Sequence, residues 1–386
     1  MPLAELDRLR LNEALDLAQS SFGLTEPNPR VGCIIGTESG AILGRGATQA
    51  AGQAHAEVVA LRDAQSLGLS VRGATAWVTL EPCAHQGRTP PCCDALVDAG
   101  IARCVVAVRD PFPAVAGAGL ARLRAASVVV DIVEEPSIVE AARDLNIGFL
   151  SRIERGRPWV RVKLAASLDG RAALKNGRSQ WITGAAARAD GHAWRRRASA
   201  VMTGIGTVLA DDPRLDVRAV PTAHQPLRIV LDSRLRTPLT AALLRLPGQA
   251  LLITASGQPE RAAMLRAAGA EVWDDWPQGA MPPLPDLLAR LATRGINELH
   301  VEAGPTLTGA ILSAGLADEL LLYLAPTLLG PGRPFALLPE RSELPLNAGY
   351  RWHAVDPIGD DLRLRLRPAM RQTVTAGASE DFTAPP

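Results

Sequence analysis

The strongest constraint on the fold is the alternation of short apolar runs with helical patterns along most of the chain. In the first 150 residues the predicted strands lie at 31–35, 41–44, 74–80, 104–108 and 128–133, and the predicted helices lie near 56–67, 92–99, 118–126 and 137–146. Strands separated by helices of this length form a mostly parallel sheet that is covered on both faces. An amphipathic helix is expected before the first strand, because one apolar stripe combines Leu11, Ala14, Leu15 and Ala18.

A polar stretch at 151–158 interrupts this alternation, and a second α/β pattern follows it. There the predicted strands lie at 159–165, 200–203, 227–231, 250–254, 298–302, 318–324 and 362–367, with helices at 184–198, 259–268, 285–293 and 306–314. A chain of 386 residues exceeds the roughly 250–300 residues at which single hydrophobic cores stop growing. We therefore predict two α/β domains, at 1–150 and 151–370, and a disordered tail of low apolar content at 371–386.

Composition narrows the class of protein further. No apolar run approaches the roughly 18–20 residues that would span a bilayer, and no secretory signal pattern is visible, so neither a membrane nor export is expected. All five cysteines lie within the first 104 residues. Their odd number and clustering favour a reducing, cytoplasmic compartment and a metal site over a disulfide framework.

The candidate metal ligands are His55, Cys83 and Cys92. One imidazole and two thiolates supply three ligands to a zinc ion and leave the fourth position for water, so we expect one Zn²⁺ per chain. Zinc lowers the pKa of bound water towards 7, which makes hydroxide available at neutral pH. Glu57 is not needed as a ligand and is placed to carry a proton from that water to a departing amine.

This pattern resembles the zinc deaminase signature H-x-E…P-C-x-x-C, with one departure. Eight residues, instead of two, separate Cys83 from Cys92. Pro90 and Pro91 predict a helix that starts at Cys92, and a helix start favours a thiolate there. Cys93 is then expected to point elsewhere and to be a bystander, and the remaining two thiols, Cys33 and Cys104, fit small buried side chains in apolar strands.

Longer motifs in both halves of the chain match one known family. The first half contains PNPRVG at 27–32, HAE at 55–57 and LEPCAHQGRTPPCC at 80–93, and the second contains KLAASLDG at 163–170, SQWIT at 179–183, GTVLADDP at 206–213 and VEAGPTL at 301–307. These motifs resemble those of the bifunctional riboflavin-biosynthesis deaminase–reductases, over about residues 5–370. The resemblance implies a cytidine-deaminase-like three-layer domain followed by a dihydrofolate-reductase-like α/β domain.

The resemblance also implies two consecutive reactions on phosphorylated pyrimidines. In the first, hydroxide on zinc deaminates 2,5-diamino-6-ribosylamino-4(3H)-pyrimidinone 5′-phosphate. In the second, NADPH reduces the ribosyl group of 5-amino-6-(5-phosphoribosylamino)uracil to ribityl. The choice of NADPH over NADH rests on the resemblance alone.

Site residues for both reactions follow from the same resemblance. Asn28 is expected to contact the pyrimidine in the deaminase half. The expected cofactor contacts in the reductase half are Ala165, Trp181, Thr207, Asp211, Ser233, Gly304, Pro305, Thr306 and Leu307. The expected substrate contacts there are Lys163, Ser179, Arg195, Leu215, Arg218 and Glu302.

Physical arguments support several of these assignments. The turn at 304–307 joins a strand to a helix, and free backbone N–H groups at such a turn suit a dinucleotide pyrophosphate. Arg195 and Arg218 carry the bidentate guanidinium that matches a phosphate. Both lie in the segment 151–218, which holds 14 basic and 6 acidic residues, whereas residues 1–150 hold 12 and 17. We interpret the basic segment as a response to anionic ligands.

The sequence leaves the roles of two residues open. Lys163 is one of 2 lysines against 39 arginines, which suggests that a compact ammonium is required there, although chance or a surface lysine on an edge strand would also explain it. Phe112 stands where the family usually has Asn in Asp-Pro-Asn-Pro, and a phenyl group cannot make an amide's hydrogen bonds. We still expect deaminase activity, because the zinc ligands and Glu57 are all present.

Two other readings compete with a riboflavin enzyme. One is a deaminase of nucleic acids or free nucleosides, but 4% aromatic residues offer few surfaces for stacking bases, and the acidic first half would repel phosphate backbones. We therefore expect no nucleic-acid partner. The other is a structural zinc site beside a regulatory module, which predicts zinc without turnover and leaves Glu57 unexplained. The oligomeric state, a homo-oligomer included, stays open.

Overall fold

The computed structural model describes residues 3–86, 90–112, 116–255, 257–276, 279–343 and 349–369. The expected tail at 371–386 lies outside these residues. The helices are α1 Glu5–Ala18, α2 Ala56–Ser66, α3 Cys92–Asp98, α4 Ala118–Ala125, α5 Pro136–Leu145, α6 Ile147–Arg155, α7 Ala185–Arg197, α8 Ile205–Asp211, α9 Ala242–Arg245, α10 Pro259–Ala267, α11 Leu284–Thr293 and α12 Pro305–Ser313.

The strands pair into three sheets. They are β1 Gly32–Gly36, β2 Ile42–Ala47, β3 Thr75–Val78, β4 Arg103–Val106, β5 Val129–Ile132, β6 Trp159–Ser167, β7 Arg171–Leu174, β8 Ala200–Gly204, β9 Leu227–Leu231, β10 Ala250–Ile253, β11 Ala270–Trp273, β12 Glu298–Val301, β13 Glu319–Ala325, β14 Gly332–Pro334, β15 Tyr350–Ile358 and β16 Asp361–Pro368.

The first sheet has the strand order β2-β1-β3-β4-β5. Strands β3, β4 and β5 are parallel, as predicted, whereas β1 runs antiparallel to both β2 and β3. The reason is the short connection between β1 and β2, since a tight loop joins antiparallel strands only. Helices α1 and α5 form one layer on this sheet, and α2 with α3 forms another.

The second sheet has nine strands in the order β11-β10-β9-β8-β12-β6-β13-β16-β15. Strands from β11 to β13 are parallel to their neighbours, and β16 and β15 continue the sheet antiparallel. Its core includes Val160, Val162 and Leu164 of β6, packed with Leu299 and Val301 of β12. A separate two-stranded ribbon pairs β7 with β14. Within the described chain, no helix is long and apolar enough to cross a bilayer.

The prediction that secondary structure is interrupted at 151–158 is wrong for residues 151–155, because α6 continues to Arg155. The helix ends at Gly156, whose φ of 66° is in the left-handed region that glycine adopts without strain. Phe149 and Leu150 of α6 are buried in the first core. The opening turn of the helix instead lies against the start of β12, so α6 bridges the two sheets.

A buried cluster of charges also joins the two halves of the chain. The carboxylate of Glu298, at the start of β12, accepts hydrogen bonds from Arg30 at 2.7 Å, from Arg161 at 2.8 Å and from Arg197 at 2.8 Å. Arg30 belongs to the first domain, whereas Arg161 and Arg197 belong to the second. We call these four residues the Glu298 cluster. All of its ion pairs have little or no exposure to solvent.

Candidate functional site

The three predicted zinc ligands come together at the ends of separate elements. His55 directly precedes α2, Cys83 lies in the loop between β3 and α3, and Cys92 is the first residue of α3, as the two prolines before it predict. His55 Nδ1 lies 3.1 Å from Cys92 Sγ and 3.6 Å from Cys83 Sγ, and the three ligand atoms lie within 4.8 Å of one another. Tetrahedral zinc would separate nitrogen and sulfur by roughly 3.6 Å, so this donor set fits the ion.

The electrostatics of this site suit proton transfer. Glu57 lies in the first turn of α2 and is buried, and burial together with the nearby Cys83 raises its pKa to about 7. A carboxyl group with a pKa near neutrality can both accept and donate a proton at working pH. Hydrogen bonds from Cys92 and from His55 lower the pKa of the Cys83 thiol. The backbone N–H of Cys92 also donates to Cys83 Sγ at 3.3 Å.

A cavity of about 350 Å³ opens onto His55, Cys83 and Glu57, whereas Cys92 lines the neighbouring groove. Asn28, predicted to contact the pyrimidine, lines it, and so do Phe112 and His85, whose rings lie 6.0 Å apart. Helix α6, which the sequence did not predict, supplies a further wall through Phe149, Arg152 and Ile153. A groove of about 540 Å³ adjoins this cavity at His55.

Glu81 is a site residue that the sequence reasoning missed. Its buried carboxylate accepts backbone N–H groups of Gly117 and Gly119 at 3.1 Å each, and of Asp110 and Leu120 at 3.3 Å each. These bonds tie the loop that carries Asp110 to the chain segment that carries the candidate zinc ligand Cys83. An acidic residue immediately before the Pro-Cys pair was the only sequence signal for this role.

The remaining three cysteines are buried and lie outside the candidate metal site, as the sequence suggests. Cys33 and Cys104 are fully buried in β1 and β4, and Cys93 is fully buried at the start of α3. Burial raises the pKa of all three thiols, that of Cys93 to about 11, so they stay protonated and unreactive at neutral pH.

A second cavity, of about 930 Å³, lies at the carboxyl ends of the parallel strands β6, β8, β9 and β12. This is where ligands bind in open α/β sheets. Most of the predicted reductase residues line it, namely Lys163, Ala165, Ser179, Thr207, Asp211, Ser233, Glu302, Gly304, Pro305, Thr306 and Leu307. The turn at 304–307 begins α12, with Gly304 in extended backbone directly before it.

Four predicted residues do not line this cavity. Arg195 does not reach the cavity but donates two hydrogen bonds, of 2.5 and 2.8 Å, to the carboxylate of Glu302. Arg218 pairs with Asp216 at 2.6 Å, and Leu215 is buried with a φ of 52°. Trp181 is 66% exposed and stacks under the guanidinium of Arg188. All four residues thus lie outside the cavity lining, and their roles as ligand contacts remain predictions.

Lys163 and Glu302 both line the second cavity as partly buried groups of opposite charge. Burial lowers the pKa of Lys163, while the charge of Glu302 partly opposes that shift. Despite its own burial, Glu302 has a pKa well below the usual range, because Arg195 compensates its charge. The Lys163 ammonium also lies 5.8 Å from the ring centre of Tyr323. This placement excludes the alternative of an edge-strand surface lysine.

The same cavity contains residues that the sequence reasoning did not select. Arg333, Pro334 and Phe335 reach it from β14 and the residue after it, and Arg236 reaches it from the loop after β9. No sequence motif predicted these contacts, because the strands β7 and β14 are too short to show a periodic pattern of apolar residues.

The basic segment 151–218 is largely neutralised within the protein. The partners are carboxylates far along the chain, with Arg161 and Arg197 bound to Glu298, Arg195 to Glu302, and Arg155 and Arg157 to Asp318. Much of the local excess of positive charge therefore serves internal ion pairs. The interpretation of the segment as a response to anionic ligands is too broad.

Two family models match the chain, one over the residues around the first cavity and one over the residues around the second. Residues 4–108 match the model described as the cytidine and deoxycytidylate deaminase zinc-binding region. Residues 158–348 match the model described as the RibD C-terminal domain. The first match contains all three candidate zinc ligands, and the second contains the predicted reductase residues.

Similar proteins extend over nearly the whole chain. The riboflavin biosynthesis protein RibD of Escherichia coli is 41% identical over 383 residues, covering 93% of this chain and 99% of its own. The structure of Acinetobacter baumannii RibD has a TM-score of 0.85 at 41% identity, with 95% and 99% of the two chains covered. A Thermotoga maritima structure, described as a diaminohydroxyphosphoribosylaminopyrimidine deaminase/5-amino-6-(5-phosphoribosylamino)uracil reductase, has a TM-score of 0.83 at 28% identity, with 94% and 99% covered.

Proposed function

Because this chain belongs to the RibD family of riboflavin biosynthesis proteins and is therefore a bifunctional deaminase and reductase, we propose which of its residues perform each reaction and on what substrates. The first site deaminates the diaminopyrimidinone ribosylamine 5′-phosphate at its 2-amino group. The second site reduces the ribosyl group of the resulting aminouracil nucleotide to ribityl with NADPH. These substrates are the ones that the description of the Thermotoga maritima relative implies.

In the deaminase site, His55, Cys83 and Cys92 would hold one zinc ion. Zinc bound there would activate a water molecule for attack on the ring carbon that carries the amine. Glu57 takes the proton from that water and passes it to the departing amine, for which its raised pKa is suitable. Asn28 lines the same cavity and orients the pyrimidine edge. The resulting products are the uracil ring and ammonia.

In the reductase site, the turn at 304–307 would hold the pyrophosphate of the dinucleotide through the backbone N–H groups that start α12. NADPH would supply the hydride for the ribosyl carbonyl carbon. Lys163 and Glu302 face the cavity together and position the ribosyl hydroxyl groups. Arg195 keeps Glu302 ionised and in place through its two hydrogen bonds.

The observation that carries the deaminase assignment is the buried Glu57 beside a donor set that fits zinc. Purified zinc-loaded protein should release ammonia from the diaminopyrimidinone nucleotide and then oxidise NADPH. In Glu57→Gln, we expect ammonia release to fall by at least about 10²-fold, because the proton carrier is lost. NADPH oxidation on the deaminated nucleotide should match the wild type.

Zinc analysis provides the control for this experiment. Glu57→Gln should keep one zinc per chain, since the carboxylate is not a ligand, whereas Cys83→Ser should lose zinc and ammonia release together. Normal deamination by Glu57→Gln would contradict the role of Glu57. Absence of both signals in zinc-loaded wild type would contradict the whole proposal.

Three broader assignments are also proposals. Two domains, with the first ending near residue 150, are supported by the two sheets; since α6 continues to Arg155, we place the junction at Gly156. The partners are small phosphorylated pyrimidines, not nucleic acid. A cytoplasmic location is supported by the five unpaired thiols, two of which are zinc ligands that need reducing conditions.

A further inference from the structure

The deaminase cavity has a cation at its rim that the proposed chemistry does not use. Arg152, on α6, lines the cavity that also contains His55, Cys83 and Glu57. Of the described residues lining this cavity, it is the one arginine, and no lysine is among them. The other formal charges on the wall are the carboxylates Glu57, Glu81 and Asp110.

The guanidinium of Arg152 is held in a fixed position by neutral partners. Its Nε donates to Asn297 Oδ1 at 2.6 Å, and one Nη donates to the carbonyl oxygen of Pro27 at 3.2 Å. Its guanidinium also lies 5.6 Å from the ring centre of Phe149. Asn297 belongs to the second domain and Pro27 to the first, so both domains orient this side chain.

Arg152 has no carboxylate partner within the part of the chain that the structure describes. Glu26 lies close enough to influence its charge, but the oxygens of Glu26 already accept from Arg30 at 2.6 Å, from Ser199 at 2.8 Å and from Asn297 at 2.6 Å. Burial lowers the pKa of Arg152. A partly buried, oriented guanidinium without a counter-ion is poised to bind an anion.

We propose that Arg152 binds the 5′-phosphate of the nucleotide in the deaminase site and so selects nucleotides over nucleosides. This inference rests on the proposed deaminase function and adds a phosphate subsite to it. A cavity of about 350 Å³ is within the range of small-ligand sites. With the ring beside Glu57 and the zinc that His55, Cys83 and Cys92 would hold, the phosphate would reach Arg152 on α6, where a guanidinium matches its oxygens.

The test compares deamination of the 5′-phosphate substrate with deamination of the same compound lacking the phosphate. The wild type should strongly prefer the nucleotide. In Arg152→Gln, we expect the KM for the nucleotide to rise roughly 10- to 100-fold, with kcat little changed, because a charged hydrogen-bond donor to the phosphate is lost. Turnover of the nucleoside should be the same in variant and wild type. Arg152→Lys should restore part of the preference.

Arg62 supplies a matched control. It lies in the adjoining groove beside His55 and is exposed, with no ion pair among the described residues. Arg62→Gln should leave both KM values unchanged. A loss of preference in Arg62→Gln, with none in Arg152→Gln, would move the phosphate to that groove and overturn the proposal.

Other outcomes separate the proposal from its premise. Equal losses on nucleotide and nucleoside in Arg152→Gln would show that Arg152 only supports the Pro27 loop. A wild type that deaminates both compounds equally well would overturn the phosphate subsite and leave the deaminase function standing. If the wild type releases no ammonia from either compound, the deaminase function itself fails.

Discussion

Two buried glutamates show how the surroundings of a residue determine its use. Glu57 has no ion pair with an arginine among the described residues, so burial, together with the nearby Cys83, raises its pKa to about 7 and the group can exchange protons. Glu298 is equally buried, but three guanidinium groups outweigh the effect of burial and hold its pKa far below the usual range. The first carboxyl group is therefore suited to chemistry and the second to structure.

His192 makes the stability of the reductase half depend on pH. Burial, with the charges of Arg195 and Arg218, lowers its pKa to about 4, although Glu302 and Asp216 oppose the shift. Its Nδ1 accepts the backbone N–H of Arg218 at 3.4 Å, which requires an unprotonated Nδ1. The pKa in the unfolded chain is about 6.5. The unfolded chain thus binds more protons between pH 6.5 and 4, so stability falls as pH drops through this window.

We expect His192→Gln to remove part of this pH dependence. The amide oxygen can still accept the Arg218 N–H, but it does not titrate. Between pH 7 and pH 5 the wild type should lose about 1–2 kcal/mol more free energy of unfolding than the variant, measured by urea unfolding. The exposed His224→Gln should show the wild-type dependence. Identical pH dependence in wild type and His192→Gln would contradict this account.

Among the elements, α6 depends on one glycine for its contact with the second sheet. A Cβ atom at Gly148 would lie 2.4 Å from Glu298 Cγ and 2.8 Å from the carbonyl oxygen of Asn297. Gly148→Ala should therefore lower the free energy of unfolding by about 1–3 kcal/mol, because neither the strand start nor the buried carboxylate can move freely. Urea unfolding and thermal melting would measure the loss.

Gly191 is the matched control for this substitution. It lies within α7, and a Cβ atom there would meet nothing within 4 Å. Gly191→Ala should be neutral or should stabilise the protein by up to about 1 kcal/mol, through the higher helix propensity of alanine. If Gly148→Ala melts at the same temperature as Gly191→Ala, α6 does not pack as closely as the structure indicates.

The sequence predicted the elements with strong periodicity and missed those with weak patterns. The helix starting at Cys92 was foreseen because two prolines precede it. Helix α6 was missed because its last residues, at 151–155, are mostly polar and read as a break, although Phe149 and Leu150 are buried in the first core. Strand β15 was missed because it is a largely exposed edge strand that contains Pro357.

The cluster of His55, Cys83 and Cys92 was predictable from spacing because zinc chemistry fixes the residue types of its ligands. The contacts of the second site were harder, since they depend on tertiary partners. Arg195 was expected to bind substrate directly, yet it reaches the site through Glu302, which is 107 positions away. Local sequence carries no signal for a pairing of that separation. Arg152 was not predicted as a site residue either, because its partner Asn297 is 145 positions away.

At the scale of the whole molecule, the Glu298 cluster connects both active sites. Arg30 follows the PNP segment that lines the deaminase cavity, at Pro27, Asn28 and Pro29. Glu298 begins the strand that ends next to Glu302 in the reductase cavity. The carboxylate that binds Arg30 therefore belongs to an element of the reductase site. We expect the two halves to unfold as one unit.

Glu298→Ala tests this coupling. The substitution leaves three buried guanidinium groups without their shared carboxylate, and loss of one partner in a buried ion pair costs about 3–5 kcal/mol. Ammonia release and NADPH oxidation should be lost at one common temperature in the wild type, and at lower, separate temperatures in Glu298→Ala. Glu154→Ala removes a partly exposed pair with Arg143 and should change stability by less than about 0.5 kcal/mol. If Glu298→Ala lowers the inactivation temperature of the reductase alone and leaves that of the deaminase unchanged, the cluster stabilises only its own domain, and the two halves are folding units that merely share a chain.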